Sequence, residues 1–106
     1  MKKNYLEKKL KVFFPDKKIL QTSSGTSAII SVLQVLKKKN KKKDEVILPS
    51  VCCPSVLFAV NFLGLKPIFV DMELKYFNMS YKDIKKKISK KSLAIIFVHC
   101  YGIIGD

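Results

Sequence analysis

Arginine is absent from these 106 residues, although 21 are basic: every one is a lysine, against 8 acidic residues, for a formal net charge of +13. That absence weighs against a nucleic-acid partner. Arginine supplies the bidentate forks that grip phosphate and read guanine, whereas lysine acts as a point charge. The lysines fall in runs at 37–39, 41–43, 85–87 and 90–91, at ends of predicted helices or in connections, where a solvated face is the simplest account. Aromatic residues are not interleaved with them but lie in apolar stretches such as Ile68, Phe69 and Val70. A lysine-favouring codon supply would give the same composition.

Long hydrophobic runs are also missing. The longest apolar stretches, near 56–65 and 93–104, fall short of the roughly 18–20 residues a spanning helix needs, so no membrane partner is expected. No apolar stretch of signal-peptide length follows the N-terminal lysines. There is one histidine, and the three cysteines include the adjacent pair Cys52 and Cys53, not spaced as metal ligands or as a redox pair; no metal site is expected. An odd number of cysteines without a secretory signal reads as reduced thiols in the cytoplasm. What the chain does have is 48% hydrophobic residues, enough for a single folded domain over 1–106 rather than a disordered tail.

The pattern predicts an amphipathic helix over 5–14 closed by Pro15, with Leu6, Leu10, Phe13 and Phe14 as its apolar positions. A short strand at Ile19 and Leu20 follows. A helix then carries Ile29, Val32, Leu33 and Leu36 on one face and Ser27, Ser31, Gln34 and Lys38 on the other. Val46, Ile47 and Leu48 read as a buried strand stopped by Pro49. Pro54 opens an almost wholly apolar helix through Val56, Leu57, Val60 and Leu63, capped by Gly64. Ile68 to Val70 form a strand ending at Asp71. Ser80 and Asp83 resemble a capping box for a helix carrying Tyr81, Ile84 and Ile88, and 93–98 is the last strand before His99. The order β-α-β-α-β-α-β, with strands that are continuous apolar runs, predicts an α/β fold: a mainly parallel sheet flanked by helices. Ligands in such sheets sit beyond the carboxyl ends of the strands, where residues 23–27, residues 50–53, Asp71 and His99 converge.

Residues 23–27, Ser-Ser-Gly-Thr-Ser, open a helix, where unpaired N–H groups and the helix dipole favour an anion. Gly25 permits close approach, and Ser24, Thr26 and Ser27 add hydroxyls. The segment has neither the Gly-Lys-Ser/Thr of a nucleotide phosphate loop nor a Gly-x-Gly-x-x-Gly fingerprint. On local grounds alone it reads as simple helix capping rather than as a phosphate site.

Four blocks in order carry a resemblance: 24–28 (Ser-Gly-Thr-Ser-Ala), 44–50 (Asp-Glu-Val-Ile-Leu-Pro-Ser), 64–71 (Gly-Leu-Lys-Pro-Ile-Phe-Val-Asp) and 95–102 (Ile-Ile-Phe-Val-His-Cys-Tyr-Gly). Together they resemble the DegT/DnrJ/StrS family of pyridoxal-phosphate (PLP)-dependent aminotransferases. The resemblance implies part of the large domain of a fold-type-I (aspartate-aminotransferase-like) PLP transferase. It further implies PLP as cofactor, a keto-sugar and an amino-acid donor as substrates, a homodimer, and a place in cell-surface polysaccharide synthesis. It implies cofactor binding by Gly25, Thr26 and Ser27, through backbone amides and a hydroxyl on the phosphate. The family's stacking aromatic aligns with Cys53, which offers no ring; either another group stacks or cofactor binding is weaker, and a packed structural cysteine is an equal alternative. Asp71 reads as a turn residue and His99 as a hydrogen-bonded core residue.

The family's Schiff-base lysine and its acidic partner lie beyond the Tyr-Gly block, so none of the present residues is expected to be catalytic. Lys66, the one lysine among apolar neighbours, matches a non-catalytic lysine of the family. The chain therefore reads as an N-terminal fragment, inactive alone and weakly stable with its sheet edges open. The alternatives are a non-enzymatic dimerisation or interaction module built on that fold, and a lysine-rich surface binder of acidic polymers or anionic lipid.

Overall fold

The computed structural model describes residues 3–104. Helix α1 (Lys3–Phe13) is followed by an irregular stretch, α2 (Gly25–Lys39), β1 (Glu45–Pro49), α3 (Pro54–Phe62) and β2 (Lys66–Val70). Two short strands come next, β3 (Met72–Glu73) and β4 (Asn78–Met79), then α4 (Tyr81–Lys87), β5 (Ser92–Ile95) and a 3-10 turn at Cys100–Gly102.

β1 lies at the centre. It pairs in parallel with β2 on one edge and β5 on the other, giving the order β2-β1-β5, and all five of its residues are buried. Successive side chains of a strand point to opposite faces, and β1 shows this directly. Val46 joins Leu33, Val60 and Leu65 in a core beneath α2 and α3, whereas Ile47 joins Val70 and Met79 on the opposite face, with Ile84 of α4 packed against them. Helices on both faces explain why this strand reads as an unbroken apolar run. Its neighbours are covered less fully, since each is an edge. Pro67 sits in β2, an edge strand where a missing N–H costs no ladder bond.

The helices follow their end signals. Ser24 caps α2 by accepting from the Ser27 amide, and Ser80 caps α4 by accepting from the Asp83 amide. Pro54 opens α3, and beyond its C-cap Leu63 the chain turns at Gly64, whose φ of +63° favours glycine. Asp83 also ties α4 to the end of β2: its Oδ2 accepts from the Asp71 amide (2.9 Å) and from Lys87 Nζ (2.7 Å). The Lys87 bond, then the Asp71 amide, hold its carboxyl below the usual aspartate range.

Four expectations are corrected. Ile19 and Leu20 are irregular, because no strand of the described residues lies beside them to complete a ladder. The last strand stops at Ile95 rather than 98; Ile96 still donates to the Ile47 carbonyl (2.8 Å), but the residue of β1 level with Phe97 is Pro49, which has no N–H to continue the ladder. A β3–β4 antiparallel pair fills what reads as a loop, too short for its alternation to register and turned at Phe77, whose φ is +51°. Val32 is 60% exposed, facing a groove between α2 and β5 rather than the core, because the sheet's β5 edge leaves that flank of α2 open.

Leu33 and Val32, adjacent on α2, thus make a paired test. Leu33→Ala should cost about 2–5 kcal/mol, as buried leucine truncations do. Val32→Ala should shift stability by less than about 0.5 kcal/mol. Urea unfolding of the two variants measures both; equal losses would contradict this packing.

Candidate functional site

The carboxyl edge of the sheet is assembled from three chain segments. β1 runs into residues 50–53 and α3, β2 ends at Asp71, and β5 runs into 96–99. The N-terminal part of α2 flanks the same edge, since Ala28 and Ile29 line a groove together with Ile96 and Phe97.

At the start of α2 the hydroxyls form a cluster. Ser27 Oγ lies 3.1 Å from Ser23 Oγ and 3.0 Å from Ser24 Oγ, and the Ser27 amide donates to Ser24 Oγ (3.1 Å). The Ala28 amide makes the first helical bond, to the Ser24 carbonyl (3.0 Å). The Gly25 and Thr26 amides precede it in the first turn, where no intrahelical carbonyl reaches them. A Cβ built on Gly25 meets nothing within 4 Å, so the helix start is open on the side where that Cβ would project. Two free amides, a field of hydroxyls and the positive end of a 15-residue helix suit a phosphate group.

Cys53 lies elsewhere on the same edge. It is the exposed N-cap of α3 and lines a cleft of about 350 Å³ with Val51, Cys52, Val98, His99, Cys100 and Tyr101. Residues 23–27 do not line that cleft, so the four predicted cofactor residues share an edge but not a pocket. Ser55 Oγ donates to Cys53 Sγ at 3.1 Å. This bond, then the Ser55 amide, lower the thiol's pKa from its ordinary value. Cys52 moves the other way, raised first by burial and then by its neighbours Cys53 and Cys100. The packed-cysteine reading of Cys53 is therefore corrected: its thiol is exposed and polarised by two donors. Ser55 escaped the sequence reading, although its position two residues past the cysteine was the available signal.

The core placement of His99 is likewise corrected. It is exposed on the cleft wall with its ring 5.2 Å from that of Phe97, because the strand ends before reaching it. Asp71 does hold its turn, through its backbone: the amide donates to Asp83 and the carbonyl accepts from the Ser80 amide (2.8 Å). Lys66 is 65% exposed and pairs with Glu45 at 3.8 Å. Among the described residues no group of three or more His, Cys, Asp or Glu side chains could hold a metal ion. No helix there is long and apolar enough to cross a membrane.

With this geometry in place, the family model of the DegT/DnrJ/EryC1/StrS aminotransferases matches residues 1–106. The chain belongs to this family. GDP-perosamine synthase of Escherichia coli O157:H7 is 31% identical over 102 residues, covering 95% of this chain and 28% of that protein. The dTDP-4-amino-4,6-dideoxy-D-glucose transaminase of Escherichia coli is 35% identical over 97 residues, covering 92% and 25%. GDP-4-keto-6-deoxy-D-mannose 3-dehydratase of Yersinia pseudotuberculosis is 33% identical over 104 residues, covering 94% and 26%. Among solved structures, Spr1654 of Streptococcus pneumoniae in its PMP form superposes with a TM-score of 0.85 at 28% identity, over 97% of this chain and 26% of that one. The chain spans about a quarter of the length of these relatives. Pyridoxal phosphate is the cofactor of the family, and the parallel α/β sheet is the corresponding part of the fold of these DegT/DnrJ/EryC1/StrS proteins.

Thiol reactivity tests the cleft. Iodoacetamide should alkylate Cys53 with a pH–rate midpoint below that of Cys52, and Ser55→Ala should move the Cys53 midpoint up toward that of an ordinary thiol. A Cys53 midpoint unchanged by the substitution would contradict the assigned hydrogen bonds.

Proposed function

We propose that this chain is the phosphate-holding part of a PLP-dependent aminotransferase that acts on a nucleotide-linked keto-sugar with an amino-acid donor. The observation that carries the reading is the open first turn of α2, with the Gly25 and Thr26 amides unengaged and the Ser23, Ser24 and Ser27 hydroxyls gathered beside them. In this reading Gly25 and Thr26 donate to the cofactor phosphate through their amides, and Ser27 adds its hydroxyl. The bound cofactor supplies the electron sink for amino-group transfer. Cys53 sits at the wall where the cofactor ring would lie and contributes a thiol edge in place of an aromatic face, which predicts a looser hold on the ring than on the phosphate.

The substrate class comes from relatives named for GDP- and dTDP-linked sugars. Transaminases and a dehydratase match nearly all of this chain, which fits a role in holding the shared cofactor rather than in choosing the reaction. Lys66 does not suit the role of the reactive lysine, because it is turned to solvent and paired with Glu45. Alone, the chain turns nothing over. The intact protein is a cytoplasmic homodimer in this reading. Exposed Phe58 and Phe62 on α3, their rings 5.8 Å apart, offer apolar area for further protein. The same exposed area favours, as a second reading, an interaction module that pairs with another chain; recovery of a stoichiometric partner on purification would support it.

Titration of the isotope-labelled chain with PLP and with inorganic phosphate tests the phosphate site. The Gly25 and Thr26 amide resonances should shift with either ligand. Gly25→Ala should fold normally, since nothing lies within 4 Å of the added Cβ; it keeps the amide, but its methyl would hold the phosphate off and weaken both ligands by about ten-fold, the worth of one hydrogen bond to a charged group. Unmoved Gly25 and Thr26 resonances, or unweakened binding by the variant, would contradict the proposal.

A further inference from the structure

The parallel topology does something with the lysine runs that their spacing does not reveal. Each helix of the sheet runs back from the carboxyl edge to the amino edge, so each helix–strand connection returns to the same side. The last turn of α2 carries three lysines, and the turn after it holds Lys41, Lys42 and Lys43, the last with its amide on the Asn40 carbonyl (2.9 Å). The neighbouring connection is hydrogen-bonded to this one: the Asp44 and Glu45 amides both donate to the Lys91 carbonyl at 3.1 Å. On the other side the Lys66 amide donates to the Asp44 carbonyl (2.8 Å). Lys41, Lys42, Lys43, Lys66, Lys90 and Lys91 are all exposed.

Two carboxylates of the described residues, Asp44 and Glu45, lie within these connections. Glu45 is buried and already engaged by Lys66 and by the Ser89 hydroxyl (2.7 Å). Of the two, Asp44 is left to offset the rest. This edge therefore carries a local surplus of positive charge, opposite the candidate cofactor site, as one part of a molecule that is basic elsewhere too. Ile88 lies at the same corner, 53% exposed and two residues before Lys90, and adds an apolar contact among the cations.

We propose that the amino edge of the sheet is a docking surface for an anionic lipid bilayer. Point charges on flexible stems suit a fluid array of lipid phosphates, which presents no fixed geometry to read. A nucleic acid would be met by arginine forks and stacking aromatics, and neither is found among the six exposed lysines. Basic clusters of this size bind anionic leaflets through additive contributions from each lysine, screened by salt. Docked this way, the chain would hold its opposite, carboxyl edge toward the solvent.

Sedimentation of the full chain with phosphatidylcholine vesicles, with and without phosphatidylglycerol, tests the proposal. The chain should partition onto the phosphatidylglycerol vesicles only, and the partition should fall steeply as salt rises. K42Q/K43Q should weaken it by about thirty-fold, from about a five-fold contribution per lysine near the surface. K75Q/K82Q removes the same charge from the β3–β4 turn and the first turn of α4, and should cost less than about three-fold, because those positions lie away from the docked edge. Circular dichroism of both variants should match the parent. The proposal is overturned if the chain ignores phosphatidylglycerol, if the two variants lose binding equally, or if duplex DNA at the same salt binds more tightly than the vesicles.

Discussion

The structure depends on the complete burial of one five-residue strand. A strand with no exposed side chain needs hydrogen-bonding neighbours on both edges and apolar cover on both faces, since an unpaired backbone group in that position costs as much as a lost hydrogen bond. β1 obtains its edges from β2 and β5. It obtains its faces from α2 and α3 on one side, and from α4 and the β3–β4 pair on the other. Because β2 and β5 both run parallel to it, the connections must cross over through helices, and those crossovers divide the molecule into two chemically distinct edges. The carboxyl edge gathers helix N-termini, hydroxyls and thiols. The amino edge gathers helix C-termini and lysines, where cations also complement the helix dipoles.

That division links packing to chemistry. Residues 50–53 leave β1 at a point fixed by Pro49 and by the bond from the Ser50 amide to the Val70 carbonyl (2.9 Å), which places Cys53 at the N-cap of α3. α2 is held against the sheet by Leu33, with Ile29 and Ala94 packed around it, and this anchorage sets the direction in which the Gly25 and Thr26 amides point. A phosphate site made of backbone amides has no side chain to reorient, so its accuracy is that of the helix that carries it.

Much of this was legible in the sequence. Apolar runs ended by Pro49 and Asp71 marked β1 and β2, and the caps Ser24, Ser80 and Gly64 marked helix ends, because these signals are local and depend on backbone chemistry. The helix start at Gly25, Thr26 and Ser27 was legible for the same reason, whereas its reading as a phosphate site came from the family resemblance and stands as a proposal. What stayed hidden depends on neighbours. Ile19 and Leu20 have strand-like side chains but no adjacent strand among the described residues; Val32 obeys helical periodicity yet faces an uncovered flank of the sheet. The β3–β4 pair is too short to show alternation. Cys53 and His99 were read as candidates for packing, and both are exposed, since exposure at the sheet's end is set by how far each strand runs rather than by residue type. The gathering of separate lysine runs at one edge is likewise a property of the topology.

Native-state hydrogen exchange tests the central constraint most directly. If burial of β1 organises the fold, the amides of Val46, Ile47 and Leu48 are the slowest to exchange in the chain, opening only with global unfolding, while those of the β3–β4 pair and of residues 97–102 exchange earlier through local opening. Exchange of the β1 amides as fast as those of β3 and β4 would contradict the account, and would mean that some other element holds the two edges in place.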